Sequence, residues 1–229
     1  MRPLSSGSYT AVLFDLDGTL VDTAPDMVAV LQSMQKDQDV DPVTFEVGRS
    51  YVSNGAVGLL RLGFPAAADE AIESLRLAFL ERYAGQLCER SAVFPGLDML
   101  LDHLKEIERP WGVVTNKPQN LTEPLLEALD LARHAACCVS GDTLPQRKPD
   151  PAPLLHACEL AGIEAASTLY VGDSSRDIEA GRAAGMGTIA AAYGYITPDD
   201  DARNWEADAI ARDTQELAHI VLKAVNLGP

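Results

Sequence analysis

Short apolar runs alternate with amphipathic stretches along this chain. Residues 11–16 (AVLFDL), 111–115 (WGVVT), 137–140, 168–172 (TLYVG) and 188–192 have the length and near-continuous apolarity of strands buried on both faces. Between them, residues 97–107, 118–129, 153–161 and 174–184 carry apolar positions at helical spacing. Strands that alternate with helices of this length predict βαβ units and a parallel sheet, whose ligands bind outside the carboxyl ends of the strands. One region breaks the alternation. From residue 22 to residue 92 the pattern is almost purely helical, with segments at 25–38, 43–49, 56–62 and 66–88. Strand patterning resumes only after the Phe94-Pro95-Gly96 turn. We therefore expect an α/β core made of residues 1–21 and 93–229, with a helical domain, residues 22–92, inserted after the first strand.

Composition narrows the class. The 229 residues are 47% hydrophobic and 23% charged, an ordinary globular balance that excludes disordered and fibrous chains. No stretch approaches the ~18 consecutive apolar residues of a membrane helix, and residues 1–10 lack the features of a leader segment. With 18 basic against 34 acidic residues the formal charge is −16, and no basic cluster offsets it, so neither nucleic acid nor a membrane surface is an expected partner. Beyond roughly 8 Å charges are screened, so a local cation can still bind a small anion. The four cysteines (Cys88, Cys137, Cys138, Cys158) show no metal or disulfide spacing, which suits a reduced, cytoplasmic protein. The four histidines are scattered and pair with no Ser or Cys in a nucleophilic motif.

The candidate chemistry lies at the predicted strand ends. The first strand runs into Asp15-Leu16-Asp17-Gly18-Thr19, two carboxylates followed by a glycine turn. The 168–172 strand runs into Asp173-Ser174-Ser175-Arg176-Asp177, with Asp177 one helical turn beyond Asp173. Taken alone, the second group also reads as helix capping. If it converges on Asp15, two like charges 4 Å apart cost about 4 kcal/mol at an effective dielectric of 20. Such a cluster calls for a hard divalent cation, and all-oxygen ligands suit Mg²⁺. Thr115 and Asn116 end the 111–115 strand before a helix, and Lys148 lies in a proline-rich loop beyond the 137–140 strand, so both segments supply donors for an anion.

These four sites, in this order, resemble the motifs of the haloacid dehalogenase-like phosphohydrolases: Asp15-Leu16-Asp17-Gly18-Thr19, Thr115-Asn116, Lys148, and Gly172-Asp173 with Asp177. The resemblance covers essentially the whole chain and implies a Rossmann-like parallel-sheet core with an all-α cap. Within the insert, Arg49-Ser50-Tyr51-Val52-Ser53-Asn54-Gly55 is similar to the cap loop of phosphoglycolate phosphatases, which often reads Trp-Val-Gly-Asn-Gly; Tyr51 and Ser53 depart from it. Tyr193-Gly194-Tyr195-Ile196, with Trp205 and Asp208, resembles a branch that includes N-acetylmuramic acid 6-phosphate phosphatases.

By this resemblance Asp15 is the nucleophile that forms an aspartyl-phosphate and Asp17 the acid and base. Mg²⁺ is held by Asp15, the main-chain carbonyl of Asp17 and Asp173, with Asp177 behind them or on a water. Thr115, Asn116 and Lys148 bind the phosphoryl group. In the cap, Arg49, Ser53, Asn54 and Gly55 select the substrate, Arg49 by gripping a second anionic group. The expected reaction is Mg²⁺-dependent hydrolysis of a small phosphorylated metabolite, 2-phosphoglycolate first, with N-acetylmuramic acid 6-phosphate as the alternative. A dehalogenase has no leaving oxygen for Asp17 to protonate. A phosphonate hydrolase needs a cap lysine, and Lys36 lies far from the 49–55 loop. A phosphosugar mutase would keep all four motifs, and phosphate release without a bisphosphate activator separates it. A non-catalytic protein on this fold would not need every chemical position filled.

Overall fold

A computed structural model describes residue 4 and residues 7–225. Part of the expected leader-free start (residues 1–3, 5 and 6) and the end of the expected core (226–229) lie outside the described residues. The chain runs β1 (Ala11–Phe14), β2 (Val21–Asp22), α1 (Ala24–Asp37), α2 (Phe45–Ser50), α3 (Gly55–Gly63), α4 (Asp69–Gly85), β3 (Ala92–Val93), α5 (Leu97–Glu106), β4 (Trp111–Val114) and α6 (Gln119–Ala128). It continues through β5 (Cys138–Val139), α7 (Ala152–Ala161), β6 (Thr168–Gly172), α8 (Ser175–Ala183), β7 (Gly187–Ala191), β8 (Ala209–Ala211) and α9 (Thr214–Val225).

Six strands form one parallel sheet in the order β5-β4-β1-β6-β7-β8. β1 is central: Phe14 lies opposite Val113 of β4 on one side and Val171 of β6 on the other. Every residue of β1, β4 and β6 is buried, as their continuous apolar sequences require. Val12 and Phe14 join a large core with leucines of α5, α6 and α9, while Leu13, Val114 and Tyr170 pack with α7 and Ala180 of α8 on the opposite face. The sixth strand, β8, reads Ala-Ile-Ala, too short and too small-sided to announce itself in the sequence, and α9 follows it. Cys137 and Cys158 are buried and all four cysteines are free; burial pushes the Cys137 thiol up to about 12, which leaves it unreactive. Among the described residues no helix is long and apolar enough to cross a membrane.

Helices α1–α4 make the insert. Thr44 caps α2, its hydroxyl accepting from the Val47 amide, so this helix starts two residues later than its apolar pattern suggests. Met27, Leu31, Phe79 and Tyr83 belong to the same buried cluster as Phe14 and Val171, so insert and sheet share a continuous apolar contact. The chain leaves and re-enters the core through an antiparallel pair of two-residue strands, β2 and β3. Asp26, buried in the first turn of α1, fastens this crossing. Its carboxylate accepts from the Arg90 amide at 2.9 Å, the Ser91 amide at 2.9 Å and the Ser91 hydroxyl at 2.6 Å. Replacing Asp26 with Ala leaves these donors unpaired and is expected to cost about 3 kcal/mol in urea denaturation. A loss below about 1 kcal/mol would show that the crossing does not depend on this carboxylate.

Candidate active site

The sheet register decides where the polar residues fall. β4, β1 and β6 are neighbours, so the residues that follow them, Thr115, Asp15 and Asp173, meet at one edge. Asp15 extends the ladder by one bond, its amide donating to the Val171 carbonyl at 2.8 Å. Asp173 is followed at once by α8, and Asp177 in its first turn accepts from the Ser174 amide at 3.1 Å. Asp177 is therefore both a helix cap and part of the cluster. One carboxylate oxygen each from Asp15, Asp173 and Asp177 lie within 4.8 Å of one another, and all three residues are buried.

Two glycines make this approach possible. Gly18 has a φ of +83°, and a side chain there would begin 2.1 Å from Asp173 Oδ2. A Cβ on Gly194 would lie 2.3 Å from that of Asp173. Any other residue at either position would displace Asp173.

Lys148 stands inside the cluster. Its ammonium lies 2.8 Å from Asp15 Oδ1 and 2.7 Å from Asp177 Oδ1, and donates to the Val114 carbonyl and the Tyr170 hydroxyl. Asn116 holds the loop that carries it. The Asn116 side-chain amide donates to the Lys148 carbonyl at 3.0 Å and its oxygen accepts from the Lys148 amide at 3.1 Å, so that side chain is spent on positioning. Three carboxylates against one ammonium leave two negative charges when all are ionised, the charge of one divalent cation. Asp173 Oδ1 is buried without a hydrogen-bond partner, and Asp15 Oδ1 has only the charge of Lys148 beside it. The donor set thus fits a hard divalent ion.

Burial raises the Asp15 carboxyl to about 6; Lys148 opposes the shift and Asp177 adds to it. Asp173 is raised well above the ordinary carboxylate range by burial and then by the charges of Asp15 and Asp177.

Asp17 is not one of the three carboxylates that meet. Its Oδ1 accepts from the Thr23 hydroxyl at 2.6 Å and the Lys117 ammonium at 2.9 Å. Lys117 is buried and also donates to the Tyr83 hydroxyl of α4 at 3.0 Å, so a residue of the insert reaches the partner of Asp17. Lys117 directly follows Thr115-Asn116 at a strand end and was open to sequence reading on that ground. Thr23 and Tyr83 carry no such signal, because Tyr83 sits at an ordinary core position of an amphipathic helix.

A cavity of about 280 Å³ reaches Asp15 and Lys148 of the cluster, with Asp17 and Thr115 also in its lining. The insert supplies an apolar wall, Val52, Val57, Phe79 and Leu80, together with Ser53, Asn54 and Gly55. Arg76, Arg147 and Arg176 also line it. Arg49 does not. Its guanidinium donates to the Tyr193 carbonyl at 3.1 Å and the Gly194 carbonyl at 3.2 Å, and lies 4.8 Å from the centre of the Tyr195 ring. Two carbonyls and an aromatic face hold it in the seam between insert and core.

Known proteins place this architecture. The haloacid dehalogenase-like hydrolase family matches residues 12–191, and the chain belongs to that family. An N-acetylmuramic acid 6-phosphate phosphatase of Pseudomonas putida is 41% identical over 216 residues, covering 94% of this chain and 97% of its own. A phosphoglycolate phosphatase of Xanthomonas campestris is 41% identical over 207 residues, covering 90% of this chain and 94% of its own. The crystal structure of a predicted phosphoglycolate phosphatase from Haemophilus somnus superposes with a TM-score of 0.82 at 28% identity, over 93% of this chain and 98% of that one. Within the family this chain is a phosphoric monoester hydrolase with an α/β core and a helical cap.

The raised carboxyl of Asp15 makes a pH prediction for the metal-free protein. A carboxyl that binds its proton more tightly when folded stabilises the fold below its unfolded value near 3.8, and that contribution is lost as pH rises through about 6. In the presence of a chelator the melting temperature should therefore fall between pH 5 and pH 7, and fall less in the Asp15→Asn variant. Adding a divalent cation should recover stability chiefly above pH 6. An identical pH profile in the Asp15→Asn variant contradicts the assignment.

Proposed function

We propose that this phosphatase is Mg²⁺-dependent and acts through Asp15 on a phosphomonoester whose leaving group carries a carboxylate. The observation that carries the reading is the meeting of Asp15, Asp173 and Asp177 around Lys148 at the carboxyl ends of adjacent strands. Asp15 and Asp173 would hold the ion, joined by the main-chain carbonyl of Asp17, with Asp177 behind them on Lys148. Bound Mg²⁺ would offset the negative charge of the carboxylates and the phosphoryl oxygens.

The chain's own groups do the rest. An Asp15 carboxylate oxygen attacks phosphorus, its bond to phosphorus forms, and the bond to the leaving oxygen breaks. Asp17 gives that oxygen a proton, then takes one from the water that hydrolyses the aspartyl-phosphate and releases inorganic phosphate. Lys148 and the Thr115 hydroxyl hold the transferring oxygens, which is where stabilisation matters most in a loose phosphoryl transition state. The cap excludes water and grips the leaving group. Residues 22–92 serve as that cap, on a core formed by the remainder.

The relatives named above act, by their names, on N-acetylmuramic acid 6-phosphate and phosphoglycolate; both substrates join a phosphate to a carboxylic acid. Arg147 lines the cavity and supplies a cation for that acid, and Arg76, which pairs with Glu73, adds a second. The cavity volume, near the lower bound for a drug-sized ligand, and its apolar cap wall favour the larger N-acetylated sugar acid over the two-carbon acid. Phosphate release should be measured over both compounds and neutral sugar phosphates, with and without Mg²⁺. The expected ranking is N-acetylmuramic acid 6-phosphate, then 2-phosphoglycolate, then neutral sugar phosphates. Asp15→Asn should lower kcat by more than about 10³-fold with folding intact. Retained turnover in that variant removes the nucleophile assignment, and a preference for neutral sugar phosphates removes the substrate reading.

A further inference from the structure

Ser53 is half-buried in the turn between α2 and α3. Its hydroxyl crosses from cap to core and donates to Asp173 Oδ2 at 2.7 Å. The Tyr195 amide donates to the same oxygen at 2.7 Å. Asp173 Oδ1, by contrast, is buried and accepts no hydrogen bond. One oxygen of this carboxylate is thus pinned by a donor from each domain, and the other is left for a ligand.

The groups that pin Asp173 also dock the cap. Arg176 of α8 donates to the Ser53 carbonyl, fixing the turn from below. Arg49 rests on the carbonyls of Tyr193 and Gly194 and on the Tyr195 ring. The Tyr195 hydroxyl donates to Asp22 at 2.6 Å and accepts from the Ala24 amide at 2.9 Å, where the chain enters the cap. Movement of the cap away from the core would therefore strip Asp173 of a hydrogen bond.

We propose that Ser53 is a positioning residue that fixes Asp173 for the divalent cation and makes cation binding and cap closure depend on each other. The inference rests on the reading that Asp15 and Asp173 hold the ion. A hydroxyl donated to one carboxylate oxygen favours the ionised, oriented group a cation needs. Because coupling free energies are reciprocal, a cap held closed tightens cation binding and a bound cation holds the cap closed.

The test titrates Mg²⁺ calorimetrically into the wild type, S53A and S53T, and measures the radius of gyration by X-ray scattering with and without Mg²⁺. S53A should bind Mg²⁺ about five- to tenfold more weakly, a typical coupling between sites. S53T, which keeps the hydroxyl, should stay within about twofold of the wild type. Mg²⁺ should contract the wild type and S53T, and contract S53A less. Equal Mg²⁺ affinity for wild type and S53A overturns the role of Ser53 and leaves the cation site standing. Weakened binding that threonine does not restore, or an undiminished contraction in S53A, overturns it equally. A wild type that binds no Mg²⁺ overturns both this inference and the cation reading beneath it.

Discussion

The enclosure of three carboxylates around one ammonium organises this molecule. Asp15, Asp173 and Asp177 would repel one another in a buried space, and Lys148 satisfies only part of that charge. The surrounding structure accommodates the cluster by close approach and by fixed donors. Glycines at 18 and 194 remove the side chains that would displace Asp173. Asn116 grips the main chain of Lys148, and Tyr170 and Val114 accept from its ammonium. What is left uncompensated is a buried negative charge; burial first, and then the neighbouring carboxylates, raise the carboxyls of Asp15 and Asp173.

The cap is tied into the same chemistry at several points. Tyr83 reaches Lys117, which holds Asp17, while Ser53 reaches Asp173 and Arg49 rests on the loop whose Tyr195 amide supports Asp173. Asp26 secures the crossing between the two parts. A lid with such contacts does more than cover the cavity. On the roles proposed for Asp15 and Asp17, its position would set how Asp17 and Asp173 are held, and so join substrate enclosure to assembly of the site.

Much of this was legible in the sequence, for a physical reason. A strand buried on both faces must be apolar throughout, so a carboxylate that ends the run marks a sheet edge, and Asp15 and Asp173 are found this way. Asp15 and Asp17 stand two residues apart, but their side chains have different partners: Asp15 joins Asp173 and Asp177, while Asp17 accepts from Thr23 and Lys117. Which way a side chain turns depends on partners brought from elsewhere in the chain. Arg49 follows the same logic, since the carbonyls that hold it lie more than a hundred residues away. β8 was hidden by its length and small residues, and the β2–β3 crossing by having only two residues in each strand.

The central claim is that a nucleophilic Asp15 and a cation share the edge where β1 and β6 end. A crystal structure with Mg²⁺ and beryllium trifluoride, a mimic of a phosphorylated carboxylate, tests it in one measurement. The account predicts the trifluoride bonded to an Asp15 carboxylate oxygen, with Thr115 and Lys148 on its fluorines and Mg²⁺ between Asp15 and Asp173. An ion bound away from Asp173, or a trifluoride carried by another side chain, would contradict it.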